Sequence, residues 1–187
     1  MKKSTRDMTQ PPDLYTKTGT GPIRHIHPIY QNSLPPCNQA CPAGENIQEW
    51  LSLAQSERYE EAWQCLIANN PMPAVHGRVC YHPCENACNR KQVDQPVSIH
   101  AVERFLGDQA HLHGWKPNFN VVPSGKKVLV IGAGPSGLSC AWQLRRLGHT
   151  VEIHEAGPMA GGMMRFGIPA YRMPRDVLDR EIQQILD

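Results

Sequence analysis

Apolar residues recur at helical intervals through the first half of the chain and give way to strand-like runs in the second. Ile47, Leu51 and Leu53 predict a short helix after Pro42. Tyr59, Ala62, Trp63 and Leu66 mark the buried side of a second helix, Glu57 to Ala68, with Ser56 placed to cap it and Asn69, Asn70 and Pro71 to end it. Val97, Ala101, Val102, Phe105 and Leu106 repeat the spacing and predict a third helix from Val97 to about His111. Beyond Gly125 the period changes. Val128 to Ile131 is an unbroken apolar run, a helix-forming segment follows, Thr150 to His154 reads as a second strand, and a further helix begins near Pro174. The predicted architecture is a helical domain followed by the first part of an α/β, Rossmann-like dinucleotide-binding domain.

The breaks between these blocks divide the chain. Residues 1–36 are rich in Pro, Thr, Gly and Lys without sustained periodicity and read as an extended N-terminal arm. Its scattered apolar residues (Leu14, Ile23, Ile26, Ile29, Tyr30) close no core alone, so contact with another chain or domain is expected to order it. Residues 37–115 form the helical domain, 116–125 (with Pro117, Pro123 and Gly125) a linker, and 126–187 the α/β segment. Two strands bury too little for an independent dinucleotide site, so the α/β domain is expected to be incomplete and to continue past Asp187.

The glycine pattern narrows the chemistry. Gly132, Gly134 and Gly137 stand in G-x-G-x-x-G spacing between strand and helix. The first allows the tight turn, the second lets backbone approach a pyrophosphate, and the third lets helix pack on strand with its positive end toward the phosphates. Glu155, 18 residues after Gly137, ends the second strand where a carboxylate accepts ribose hydroxyls. A carboxylate there repels a 2′-phosphate, which leaves FAD and NAD. Ala141 and Gly148 extend the run to the longer form seen in flavoproteins, and FAD is the first choice.

Cysteines add a second chemistry. Cys37 and Cys41 form C-x3-C followed by Pro42, and Cys80, Cys84 and Cys88 form C-x3-C-x3-C. Five thiols in two tight groups, joined by helices, can converge on metal. The spacing favours an iron–sulfur centre, with structural zinc as the competitor and buried structural thiols a third reading. Cys65 and Cys140 stand apart and read as core residues. His25, His27 and His82 read as solvated or locally bonded rather than as ligands.

Whole-chain properties exclude several classes. A formal net charge of +2 advertises no global basic field for nucleic acid. No apolar run approaches bilayer length, and Lys2, Lys3 and Arg6 lie in a polar stretch without the apolar core of a signal peptide. Seven cysteines beside a nucleotide-binding unit point to a reducing compartment, the cytoplasm.

Taken together, PPCNQACPAGENIQEWL, GRVCYHPCENACNR, PVSIHAVERF, the glycine fingerprint and EAGPMAGGMMRFGIPAYRMP closely resemble the small-subunit glutamate synthase family, shared with the N-terminal half of dihydropyrimidine dehydrogenase. The resemblance covers about Cys37 to Asp187 and implies the N-terminal portion of such a protein. It implies a helical domain with two [4Fe–4S] clusters, then an FAD domain into which an NAD(P)H domain is inserted; that NAD(P)H site is expected beyond residue 187. Electrons would pass from NAD(P)H to FAD and through clusters to a partner redox protein or domain.

Carried over residue by residue, the resemblance is uneven. The family's first motif, C-x2-C-x4-C-x3-C, matches Cys37 and Cys41, but its first two cysteines fall on Ile29 and Asn32. The second group matches Cys80, Cys84 and Cys88, and Glu103 occupies the family's non-cysteine ligand position. One cluster is implied complete (Cys41, Cys80, Cys84, Glu103), whereas the other keeps only Cys37 and Cys88, so one [4Fe–4S] cluster is expected. The resemblance also sets Gly132, Ala133, Gly134, Pro135, Ser136 and Gly137 on the pyrophosphate and Glu155 on the ribose. Gly161, Gly162 and Met163 form a loop over the cofactor, and Arg172 makes a cationic contact. No general acid or nucleophile is named. Two other classes stay open: a non-catalytic docking module for a redox partner, and a zinc-stabilised scaffold with a vestigial nucleotide fold.

Overall fold

The computed structural model describes residues 33–187. The arm to residue 32, with His25, His27, Ile29 and Asn32, lies outside the described residues. Leu34–Asp187 forms one compact unit.

Short helices begin it, most of them started by proline. They are α1 Pro36–Ala40, α2 Ile47–Gln55, α3 Tyr59–Ile67, α4 Pro73–Val79 and α5 Pro83–Asn86, followed by a 3-10 turn at Asn89–Gln92 and the long α6, Ile99–His113. Proline at the first helical position gives up no hydrogen bond and presets the backbone, which is why α1, α4 and α5 start where they do. α2, α3 and α6 agree with the predicted helices within two residues at most boundaries. Ser56 does not cap α3: Arg58 stands at that position without a side-chain cap, and the Ser56 hydroxyl bonds back to Ser52 O in α2.

α6 also turns a different face inward than its apolar spacing suggests. Ile99, Glu103, Leu106, Gly107 and Ala110 are buried, while Val97 and Phe105 are each 40 % exposed. The phase is set by α4, which crosses α6 at very short range. A Cβ added at Gly77 would lie 2.5 Å from Arg104 N, and one added at Gly107 would lie 2.5 Å from Ala74 N. Only glycine on each helix permits that approach, and the contact draws Glu103 into the interior.

The α/β part follows as β1 Lys127–Ile131, α7 Pro135–Arg146, β2 Thr150–His154, α8 Met163–Phe166 and α9 Arg175–Leu186. β1 and β2 pair in parallel, in register from Lys127↔Thr150 to Ile131↔His154, joined through α7 as in a βαβ unit. Val130 is buried, whereas Leu129 and Ile131 are exposed, so one face of the sheet is covered.

The two parts share a core. Trp142 of α7 belongs to the same apolar cluster as Trp50, Trp63 and Leu66, and its indole N–H donates to Ile67 O at 2.9 Å. The segment expected as a linker has no regular structure, but Phe119 stacks edge-on against Trp142 at 5.5 Å beneath the Arg146 guanidinium. Cys65 is half-buried against this cluster. Cys140, expected in the core, is exposed: it lies on the outer side of α7, whose inner side is Leu138, Ala141 and Trp142.

Candidate functional site

The five clustered cysteines lie at helix ends. Cys37 is inside α1 and Cys41 terminates it, donating its N–H to Cys37 O at 3.2 Å. Cys80 terminates α4 in an extended conformation, Cys84 lies in α5, and Cys88 precedes the 3-10 turn. α1 packs on α5, which brings the two sequence-distant groups together.

The mutual influence of the thiols sorts them. Burial pushes Cys84 up to about 12, and the Cys41 and Cys80 sulfurs add to the rise. Burial also raises Cys41 and Cys80, with the Glu45 and Glu103 carboxylates acting in the same direction on both. Cys37 is raised by burial, with the Cys88 sulfur adding to the rise. Cys41, Cys80, Cys84 and Glu103 thus form one group, and Cys37 and Cys88 another. Cys65, pushed up to about 11, has Glu49 and Glu45 as charged neighbours and belongs to neither.

Such thiols stay protonated unless a cation replaces the proton, which a coordinating metal does. Among the described residues no three of these sulfurs lie within 4.8 Å of one another. Sulfurs around a tetrahedral zinc at about 2.3 Å would stand only about 3.8 Å apart.

Two residues of this site escaped sequence reading. Glu45 and Asn70 join Glu103 in a buried polar network: Asn70 Nδ2 donates to Glu45 Oε1 at 3.0 Å and to Glu103 Oε1 at 2.6 Å. Asn70 Oδ1 accepts from Met72 N and lies 2.6 Å from His76 Nδ1. Burial raises the Glu103 carboxyl well above the usual range, and Glu45 adds like-charge repulsion. Asn70 reads from sequence as a helix stop, and Glu45 carries no sequence signal of its own. No local pattern marks a buried network that closes across 25 and 33 residues.

The glycine loop lies between β1 and α7. At Gly137 an added Cβ would fall 1.9 Å from Gly132 O, so α7 starts hard against the turn. Gly162 also packs tightly: its Cβ would meet Gly134 Cα at 2.9 Å, and Gly161 N donates to Ala133 O at 2.8 Å. The two glycine segments therefore form a single backbone surface. Pro135 and Ser136 are exposed in the first turn of α7, which has no side-chain cap. That arrangement leaves room and favourable dipole orientation for a pyrophosphate.

Glu155 is exposed and accepts from Gly157 N at 2.7 Å and Ala133 N at 2.6 Å, and these bonds hold its carboxyl below the usual range. Each oxygen keeps a further acceptor position for a ribose hydroxyl. Met163, at the start of α8 beside Gly162, and Arg172, in the turn after α8, are exposed. Two unpredicted arginines build that turn: Arg165 binds Ala160 O and Asp179, and Arg175 donates to Met164 O and Ile168 O.

One carboxylate ties the two sites together. Glu181 of α9 is fully buried and accepts from Ala74 N at 3.0 Å and Val75 N at 3.1 Å, the first amides of the helix that ends in Cys80. Burial pushes its carboxyl up, against the pull of His111 and the two amides. A folded-state value above the unfolded one means stability is fully present at low pH and falls as pH rises through the folded value. Glu181→Gln is expected to remove that part of the decline while still offering α4 an acceptor. Parallel stability–pH curves for wild type and variant in denaturant unfolding would show that Glu181 does not titrate on unfolding.

Comparison with known proteins shows what the two parts of the chain are similar to. Residues 30–115 match the family described as dihydropyrimidine dehydrogenase domain II, 4Fe-4S cluster, and residues 130–184 match the NAD(P)-binding Rossmann-like domain. The NADP(+)-dependent formate dehydrogenase subunit beta of Moorella thermoacetica is 41 % identical over 172 residues, covering 80 % of this chain and 24 % of that protein. The NADPH-Fe(3+) oxidoreductase subunit beta of Geobacter sulfurreducens is 39 % identical over 171 residues, 90 % of this chain and 25 % of the relative. The small chain of glutamate synthase [NADPH] from Escherichia coli K12 is 39 % identical over 149 residues, 78 % of this chain and 32 % of the relative. The chain thus spans about a quarter to a third of the length of these three relatives. Among the described residues no helix is long and apolar enough to cross a membrane. The chain thus joins a segment that matches a [4Fe–4S] domain family to one that matches a Rossmann-like dinucleotide domain, and over most of its length it is similar to the glutamate synthase small chains.

Proposed function

We propose that this chain is the N-terminal part of a cytoplasmic iron–sulfur flavoprotein oxidoreductase that passes electrons between NAD(P)H, FAD and a [4Fe–4S] cluster, to or from a partner redox centre. Flavin joins two-electron hydride chemistry to one-electron cluster chemistry, and the protein positions and tunes these groups. Cys41, Cys80, Cys84 and Glu103 hold the cluster, and Cys37 and Cys88 stand in reserve for the carboxylate. Gly132 to Gly137 receive the pyrophosphate, Glu155 the ribose, Gly161, Gly162 and Met163 cover the cofactor, and Arg172 offers a positive charge. The domain division at 116–125 separates these two duties along the sequence. Seven free cysteines support a reducing compartment.

The observation that carries this reading is the Glu181 link, which fixes the Cys80-bearing helix to the helix that follows the glycine loops. A fixed separation between two redox groups favours direct electron transfer between them. The subunit names of the relatives support a partner, whose identity follows from neither site.

The test is anaerobic addition of NADPH and of NADH to the natural full-length protein. Bleaching of the flavin band with appearance of a reduced-cluster paramagnetic signal is expected. A protein that holds neither flavin nor iron yet binds a redox partner would instead be a docking module.

A further inference from the structure

Among the described residues, one group of three His, Cys, Asp or Glu side chains has its ligand atoms all within 4.8 Å: His82, Glu85 and His100. Glu85 Oε1 lies 2.7 Å from His100 Nδ1, and Glu85 Oε2 lies 3.6 Å from His82 Nδ1. The two rings stack at 4.0 Å between centroids, so both imidazoles present Nδ1 to opposite oxygens of one carboxylate. Ligand atoms around a tetrahedral ion at about 2.1 Å stand about 3.4 Å apart, a spacing these distances bracket.

The backbone holds the group together. His82 sits at φ 42°, a left-handed conformation uncommon for a residue with a side chain, and its N–H donates to Cys80 Sγ at 3.3 Å. Glu85 Oε1 also accepts His100 N at 3.0 Å, which fixes α5 on the start of α6. The side chains are 32, 16 and 36 % exposed, so an ion in solution can reach them.

We propose that His82, Glu85 and His100 form a binding site for a divalent first-row transition ion, here probed with zinc. Two imidazoles and a carboxylate are a donor set that such ions accept, with water completing the shell. A bound ion would staple the His82–Glu85 segment, which contains Cys84, to α6. This site is additional to the cysteine ligands of the proposed cluster.

The test counts zinc and iron in the protein purified anaerobically with its iron, equilibrated with zinc and desalted. Wild type is expected to retain about one zinc per chain with its iron unchanged. His100→Ala and His82→Asn, the latter chosen because asparagine tolerates the left-handed backbone, are expected to lose that zinc and keep their iron. Retention of zinc by both variants, its absence from wild type, or zinc gained only as iron is lost would overturn the site. So would loss of iron in both variants, because the triad would then serve the cluster. His100→Cys, which restores a ligand of another kind, is expected to recover zinc retention.

Discussion

Gly137→Ala is expected to abolish flavin retention and destabilise the chain together, whereas Gly134→Ala should weaken flavin binding in a chain that still folds. The difference lies in what a methyl group meets. At Gly137 it falls 1.9 Å from a backbone carbonyl oxygen, which no rotamer relieves, so α7 must shift off the turn. Overpacking of this kind costs about 1–3 kcal/mol or more. At Gly134 the nearest atom is 3.9 Å away, so the methyl group is accommodated by the protein and obstructs only a pyrophosphate. Because Trp142, on the same helix, is part of the helical core, the Gly137 substitution should also lower the temperature at which iron is released. Flavin content and thermal denaturation of both variants check this, and equal stability of the two would remove the steric account.

Cys80→Ala is expected to empty the cluster site, while Cys65→Ala leaves it filled. Cys80 stands at the end of α4 among Glu103, Glu45 and the Cys84 sulfur, and an alanine there removes one of the three thiols in the proposed ligand set, whose fourth member is a carboxylate. Cys65 is as raised as a buried thiol should be, yet its charged neighbours are Glu49 and Glu45 rather than the other cysteines. Glu103→Gln is the intermediate case. It keeps the hydrogen bond with Asn70 but cannot supply an anionic ligand, so partial iron loss with a changed visible spectrum is expected.

Sequence legibility followed the range over which each feature is encoded. β2 was readable to the residue and β1 to within one, because an apolar run between a basic step and a glycine turn is a local signal. Helices α2 and α3 were readable from three or four periodic residues each. The short helices α1, α4 and α5 were not, since four to seven residues beside prolines give no period to detect. The inward face of α6 was misread because Gly77 and Gly107, which fix it, contribute nothing to an apolar pattern. Cys140 was misplaced because a cysteine in a helix says nothing about which side it occupies. The cysteines and glycines of the candidate sites carry their own spacing, whereas Glu45, Asn70, Glu181, Arg165 and Arg175 act across long separations and become visible only in the fold.

The most direct test is the number of irons and labile sulfides bound by the part of the protein that this chain represents, after any clusters bound elsewhere are subtracted. With Ile29 and Asn32 where the family carries two further thiols, a single cluster on Cys41, Cys80, Cys84 and Glu103 predicts about four irons and four sulfides, lost in Cys80→Ala and kept in Cys65→Ala. About eight irons would contradict the account, because Cys37 and Cys88 would then anchor a second cluster completed by ligands this reading does not contain.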